Sequence, residues 1–239
     1  HLNRVYATRT CDGLFLPIVS NLGVHLPVAK IVTALRTVGS VNYTIADGAQ
    51  ALNHVDLTEP MKVSDFVVAG AHKWLRAGVP MGIAIASSRA TPTSFVARDA
   101  LFGMTGSEGV ANPSIAIETS SIAGLFTCSA ATDDCSGPTV PYTLHRYRLQ
   151  LRNACRSTRW SMLSSSSDFH SRIALLVFGY HRSPRIAGTT VRRAFQEQGV
   201  GVSAYPGGVI RVATPVPLND RAVEMLRAVL RATAPLESS

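Results

Sequence analysis

Asp47-Gly48-Ala49-Gln50 and Ala71-His72-Lys73-Trp74 are the two stretches of this chain whose residue types can do chemistry together. Each stands at the end of a short apolar run. Lysine is scarce: Lys30, Lys62 and Lys73 are the only three among 23 basic residues. A lysine at a strand end can attack a carbonyl and form a Schiff base. A carboxylate at a neighbouring strand end can keep a proton on a pyridine nitrogen. Those are the two protein groups that pyridoxal phosphate most needs. Taken singly, each residue has an ordinary reading: a solvated lysine, a turn-forming Asp-Gly, a satisfied histidine. The pairing is what points to chemistry.

The elements around them must place the two stretches at one edge of a sheet. Leu14 to Ser20 is short and apolar and reads as a buried strand. Leu26 to Val38 carries Val28, Ile31, Val32 and Leu35 at helical spacing, with Pro27 where a first turn accepts proline. Val41 to Ala46, Asp65 to Ala69 and Gly82 to Ala86 read as three further strands. Short apolar strands alternating with a helix predict a mostly parallel sheet with covered faces. Ligands bind such sheets beyond the carboxyl ends of the strands. Ser20-Asn21, Asp47 and His72-Lys73 all stand at such ends.

Order weakens after residue 88. Thr127 to Ser167 is rich in Ser, Thr and Arg, and Ser164 to Ser167 is a serine run; no secondary structure is assigned there. Thr190 to Gln198 reads as a helix stopped by Gly199, and Val209 to Ala213 as a strand. Asn219 caps a final helix, Asp220 to Ala232, with Val223, Leu226, Val229 and Leu230 as its apolar stripe.

Bulk properties narrow the class. The chain has 239 residues and is 46% hydrophobic, enough for a sizeable core. No run is long enough to span a bilayer, and no export signal stands at the start, so the expectation is a cytoplasmic protein. The first residue is His1 rather than Met, which fits a fragment or processed form. Cys11, Cys128, Cys135 and Cys155 form no C-x-x-C pair, so they are expected to be plain thiols and no metal site is expected. Of the net charge of +8, much comes from residues 136–196, which hold ten arginines and one acid, Asp168. The expected reading is a solvated surface. A nucleic-acid patch is the rival, but it lacks interleaved aromatics.

These residues carry a resemblance. Ile45 to Leu52, Ser64-Asp65-Phe66 and Ala71 to Trp74 resemble the class V aminotransferases, fold-type I pyridoxal phosphate enzymes that include cysteine desulfurases and isopenicillin N epimerase-like proteins. Val19 to Gly23, Leu26-Pro27-Val28, Gly199 to Ser203 and Val209 to Val212 add weaker similarity. The resemblance implies an α/β fold: the C-terminal part of a mostly parallel large domain plus a small α+β C-terminal domain. The expected division is 1–125 for the large domain, 126–185 for a divergent Arg/Ser-rich segment and 186–239 for the small domain. By resemblance, Lys73 is the Schiff-base lysine, Asp47 pairs with the pyridinium nitrogen, Gln50 donates to the ring's phenolic oxygen and His72 approaches the cofactor phosphate. Asn21 and Arg211 hold the carboxylate of a small amino-acid substrate, Arg through its bidentate fork. A homodimer is implied by resemblance alone.

The chain also departs from the pattern. Family members carry a further N-terminal stretch, which supplies the phosphate-gripping turn and the ring that stacks on the cofactor. Gly70 stands where the family has Ser, and the neighbourhood of Ile115 to Ser121 lacks the family's Gly-Thr loop. Ser203 to Gly208 has no cysteine, which argues against a persulfide-type desulfurase. Aminotransferase, epimerase and lyase chemistry stay open, as does an inactive truncated homologue that keeps the fold.

Overall fold

The computed structural model describes residues 2–8, 11–91, 122–133, 141–163, 171–179, 186–213 and 218–233. The chain forms two compact units. One comprises His1–Ser20 with Leu26–Pro138, the other Asn21–His25 with Thr139–Ser239.

The first unit is built on a four-stranded sheet in the order β1 (Gly13–Pro17), β2 (Tyr43–Asp47), β3 (Phe66–Gly70), β4 (Gly82–Ala86). β1, β2 and β3 are parallel, and β4 runs antiparallel to β3. Thr44, Ile45 and Ala46 are all buried, as expected of a central parallel strand covered on both faces. The link from β1 to β2 carries helix α2 (Val28–Arg36), which buries Val28, Val32 and Leu35 along one stripe. Pro27 sits at its N-cap, one position before the first turn. Two short helices escape the sequence reading: α1 (Leu2–Thr8) and α3 (Thr58–Val63). Each is too short to show a clear period. Asp56 lies two residues before α3, its Oδ1 accepting from the Thr58 N–H at 2.9 Å and the Thr58 hydroxyl at 2.6 Å.

Asp65, buried just before β3, fixes the strand register. Its Oδ2 accepts from the Thr44 N–H at 2.6 Å. Its own N–H donates to the Thr44 carbonyl at 2.8 Å, and its carbonyl accepts from the Ser87 N–H at 2.9 Å. One residue thus joins three strands.

The second unit is an antiparallel sheet in the order β5 (Trp160–Met162), β6 (Ile173–Phe178), β8 (Val209–Ala213), β7 (Ser203–Tyr205). One face carries Leu176, Phe178 and Ile210 and packs on three helices: α5 (Pro141–Cys155), α6 (Gly188–Glu197) and α7 (Asp220–Ala232). Trp160 meets Phe178 and Phe195 edge-on, at centroid distances of 5.4 and 5.5 Å. Asn219 caps α7 as expected, its Oδ1 accepting from the Ala222 N–H at 2.8 Å. Arg227 of α7 ties to α5 by donating from Nη2 to the Asn153 carbonyl at 2.7 Å.

The segment 127–167 is the main correction to the sequence reading. It contains much of α4 (Ile122–Asp133), all of α5 and β5. In α5 the buried residues Tyr147, Leu151 and Ala154 fall at helical spacing, but the arginines between them lower the apolar average. α4 is apolar or small on all sides and shows no single stripe, although Cys128 packs with Ala71, Leu75 and Ala77. β6 is buried along its whole length and so shows no alternation. The range 126–185, set apart as one segment by sequence, is shared between the two units. Several arginines of that range (146, 152, 156, 159) are exposed, in keeping with a solvated surface. The Ile115–Ser121 neighbourhood, Ser164 to Ser167 and Cys135 lie outside the described residues.

Two outcomes follow from these cores. Asp65→Ala orphans the Thr44 N–H inside the sheet and is expected to cost about 2 kcal/mol in urea unfolding. A change within experimental error would show that the strands hold register without the carboxylate. The second concerns Cys155, whose thiol burial pushes up to about 11 from an ordinary 9.0. The folded state favours the neutral thiol, so its contribution is complete below pH 9 and is lost as pH rises through about 11. Thermal unfolding across that window should show a steeper alkaline loss for the wild type than for Cys155→Ala, and equal slopes would refute the buried-thiol assignment.

Candidate functional site

The parallel register brings the carboxyl ends of β1, β2 and β3 to one edge of the first sheet, with Pro17 opposite Asp47 and Asp47 opposite Val68. Asp47 is the last residue of β2. Its Oδ1 accepts from the Ala49 N–H at 2.8 Å, so the side chain organises the turn that follows it. Gly48 then donates to the Val68 carbonyl at 2.7 Å. A Cβ at 48 would lie 2.9 Å from Val67 Cγ1, so the chain can turn this close to β3 only with glycine there. The next residues coil into a helical turn, with Leu52 N–H donating to the Gly48 carbonyl at 2.9 Å and Val55 N–H to the Ala51 carbonyl at 3.0 Å.

His72 and Lys73 lie on the loop that leaves β3. Its neck is closed by Ala71 N–H donating to the Met81 carbonyl at 2.8 Å and Ala77 N–H to the Ala71 carbonyl at 3.0 Å. Ala71, Leu75 and Ala77 anchor the loop in an apolar cluster with Cys128. Between these anchors His72 and Lys73 are exposed. A Cβ at Gly70 would lie 2.8 Å from His72 Cε1, so the imidazole occupies the space beside position 70.

The two loops are tied together through Trp74, Asn53 and His54, none of which has a role in the sequence analysis. Trp74 Nε1 donates to Gln50 Oε1 at 2.9 Å, and Asn53 Nδ2 donates to the Trp74 carbonyl at 3.3 Å. His54 stacks on Trp74 with ring centroids 3.8 Å apart. The structure therefore gathers Asp47, Gln50, His72 and Lys73 on two adjacent, cross-linked loops of the first unit. A signal for His54 was present in the sequence: it stands four residues after Gln50, one helical turn on. An apolar cavity of about 680 Å³, lined by Leu52, Val55, Met61, Leu75, Ile83 and Ile85, contains none of the six expected site residues.

Asn21 and Arg211 belong to the second unit, and both are associated with the sheet face opposite its helices. Arg211 on β8 pairs with Leu175 of β6 and with Ser203 of β7. Alternation along the strands puts Leu175, Val177, Val209, Tyr205 and Arg211 on this face. Asn21 reaches it by donating from Nδ2 to the Tyr205 hydroxyl at 3.2 Å. The same segment passes against β6 at Gly23, where φ is +89° and a Cβ would lie 2.6 Å from the Ile173 carbonyl oxygen. Ser171 secures it by donating to the Gly23 carbonyl at 2.7 Å. Arg211 Nε is buried and has no hydrogen-bond partner among the described residues. A donor left unpaired in this way is suited to an incoming anion. Tyr205 is the residue here that the sequence did not single out.

Among the described residues no group of acidic, His and Cys side chains is arranged to hold a metal ion, and no helix is long and apolar enough to cross a membrane.

No protein-family model matches the chain, and no curated protein matches it. Solved structures do. Ureidoglycine-glyoxylate aminotransferase from Bacillus subtilis matches with a TM-score of 0.68 at 14% identity, over 97% of this chain and 62% of that one. A NifS-like protein from Rickettsia africae matches with a TM-score of 0.66 at 15% identity, over 98% of this chain and 65% of that one. An alanine–glyoxylate aminotransferase from Nostoc matches with a TM-score of 0.64 at 15% identity, over 97% and 64%. The chain thus spans a little under two thirds of each of these proteins. It has part of the α/β fold of the pyridoxal phosphate-dependent aminotransferases: a mostly parallel sheet followed by a small antiparallel one.

Proposed function

We propose that this chain carries the lysine-bearing part of a pyridoxal phosphate-dependent catalyst of the class V aminotransferase type, acting on a small amino acid. The observation that carries this reading is the pair of cross-linked strand-end loops, one holding Asp47 and Gln50, the other His72 and Lys73. The residues fit the cofactor's ring: an amine for its aldehyde, a carboxylate for its nitrogen and a carboxamide donor for its phenolic oxygen. When bound, that cofactor supplies an electron sink for cleavage of a bond at the amino acid's α-carbon.

The remaining chemistry belongs to the chain. Lys73 would hold the cofactor through its Nζ, and the same amine is placed to carry the amino acid's Cα proton. The Asp47 carboxylate keeps the ring nitrogen protonated by its charge. His72 would hold the cofactor phosphate. Arg211 and Asn21 hold the substrate carboxylate, and the unpaired Arg211 Nε supports that role. The absence of a cysteine from 203–208 favours transamination, epimerisation or elimination over a persulfide route. A homodimer is the assembly this reading entails.

A second reading is favoured by the departure from the family's pattern at Gly70, which removes a phosphate contact: a homologue that keeps the fold but no longer catalyses. One experiment separates the two. The purified chain is titrated with pyridoxal 5'-phosphate, reduced with borohydride and mapped by peptide mass. A saturable visible band with label confined to Lys73, abolished by Lys73→Ala and kept in Lys30→Ala and Lys62→Ala, is the expected result. Label spread over all three lysines would leave the inactive homologue.

A further expectation concerns the carboxylate. Arg211→Ala should raise the amino-acid concentration needed to perturb that band roughly 10- to 100-fold. Tyr205→Phe, which removes the acceptor for Asn21, should raise it by a smaller factor. Unchanged titrations in both variants would remove this sheet face from substrate binding.

A further inference from the structure

Gln50 is held at both ends of its residue by side chains outside the roles described so far. Trp74, buried, donates its indole N–H to Gln50 Oε1 at 2.9 Å. His54, fully buried, lies with its Nδ1 2.7 Å from the Gln50 backbone carbonyl. The same imidazole stacks on the Trp74 indole at 3.8 Å with the planes 22° apart, which fixes the height and tilt of the indole. The Asn53 bond to the Trp74 carbonyl pins the loop behind it.

A carboxamide has two ends of nearly equal size and opposite hydrogen-bonding character. Turned over, Gln50 would set its NH2 against the indole N–H, and two donors would face each other. Two donors facing each other beside a buried indole are a costly arrangement. The buried indole therefore selects one orientation: oxygen toward Trp74, NH2 away from it. Gln50 Nε2 has no partner among the described residues, so this end is available to a ligand.

We propose that Trp74 is a positioning residue that makes Gln50 a hydrogen-bond donor toward an anionic ligand oxygen, with His54 as the brace that holds the indole in place. The identity of that oxygen, the phenolic oxygen of the cofactor ring, rests on the function proposed above; the Trp74–Gln50 clamp does not. Without the indole N–H, the carboxamide turns freely and presents its oxygen to the ligand for part of the time, which repels an anion.

The test uses the whole chain and two independent readouts. In the first, pyridoxal 5'-phosphate is titrated into wild type, Trp74→Phe and Gln50→Glu by visible absorbance, with circular dichroism confirming the fold of each. Gln50→Glu keeps an acceptor for Trp74 but replaces the donor by an anionic oxygen, so it tests the donor without disturbing the indole. Trp74→Phe is expected to weaken saturable binding roughly five- to tenfold, and Gln50→Glu at least as much. In the second, indole N–H signals of the 15N-labelled protein without cofactor are followed. The chain has two tryptophans, 74 and 160, so the assignment is simple. Gln50→Leu should move and deprotect the Trp74 signal and leave that of Trp160 in place. Wild-type affinity in Trp74→Phe or Gln50→Glu, or an indole signal indifferent to Gln50→Leu, would overturn the proposal. If the wild type shows no saturable band at Lys73, the cofactor reading fails and the donor role fails with it, while the indole signals still report whether the clamp exists.

Discussion

The parallel register of β1, β2 and β3 is the constraint on which the candidate chemistry of the first unit depends. Parallel strands cannot be joined by a tight turn, so each connection must travel back across the sheet before the next strand begins. That travel leaves the carboxyl ends of all three strands at one edge, where the loops leaving them are neighbours. Asp65 secures the arrangement by joining β2 and β3 through its side chain and N–H and by receiving Ser87 through its carbonyl. A slip of one residue would exchange the two faces of β3 and carry His72 and Lys73 to the wrong side of the turn. The placement of the loop carrying Lys73 beside the loop carrying Asp47 thus depends on a buried aspartate that belongs to neither.

The loops themselves are made definite by contacts of a different kind. Apolar anchors hold Leu75 and Ala77, closely packed glycine holds position 48, and the Trp74 indole links the loop after β3 to the loop after β2. The exposed residues lie between such anchors. The anchors carry the ordering entropy, and the exposed His72 and Lys73 stay accessible on a fixed backbone. In the second unit the same logic works on a sheet. The face toward α5, α6 and α7 is wholly apolar at Leu176, Phe178 and Ile210, whereas the other face combines Leu175, Val177 and Val209 with Tyr205 and Arg211. Among the described residues the buried Arg211 Nε has no hydrogen-bond partner, and a buried donor left so is costly.

The shared fold at 14–15% identity follows from which constraints are strict. Strand order, the sense of each connection and the apolar faces can be met by many sequences, because a core needs volume and pattern more than particular residues. Close approaches are stricter. Gly48 against Val67 and Gly23 against the Ile173 carbonyl leave no room for a side chain. Function needs its own geometry on top of the fold, which is why the fold by itself does not name the reaction.

The sequence by itself determined the elements whose signals are local. β4, β8 and α7 have the bounds read from their apolar patterns, and the Asn219 cap is where a short polar acceptor before an amphipathic stripe must be. Strand ends at Asp47 and near Lys73 were equally legible, because apolar runs stop there at turn-forming residues. α5 was missed because its arginines diluted a stripe that only packing reveals, and β6 because a strand buried on both faces has no alternation to read. Tertiary structure alone decided which distant residues meet. Nothing near Gln50 announces that an indole at position 74 fixes its carboxamide, and nothing near Asn21 announces Tyr205, 184 positions away, as its partner. Such pairs depend on the register of strands and the path of loops, which are settled by burial summed over the whole sheet rather than by any stretch of neighbouring residues.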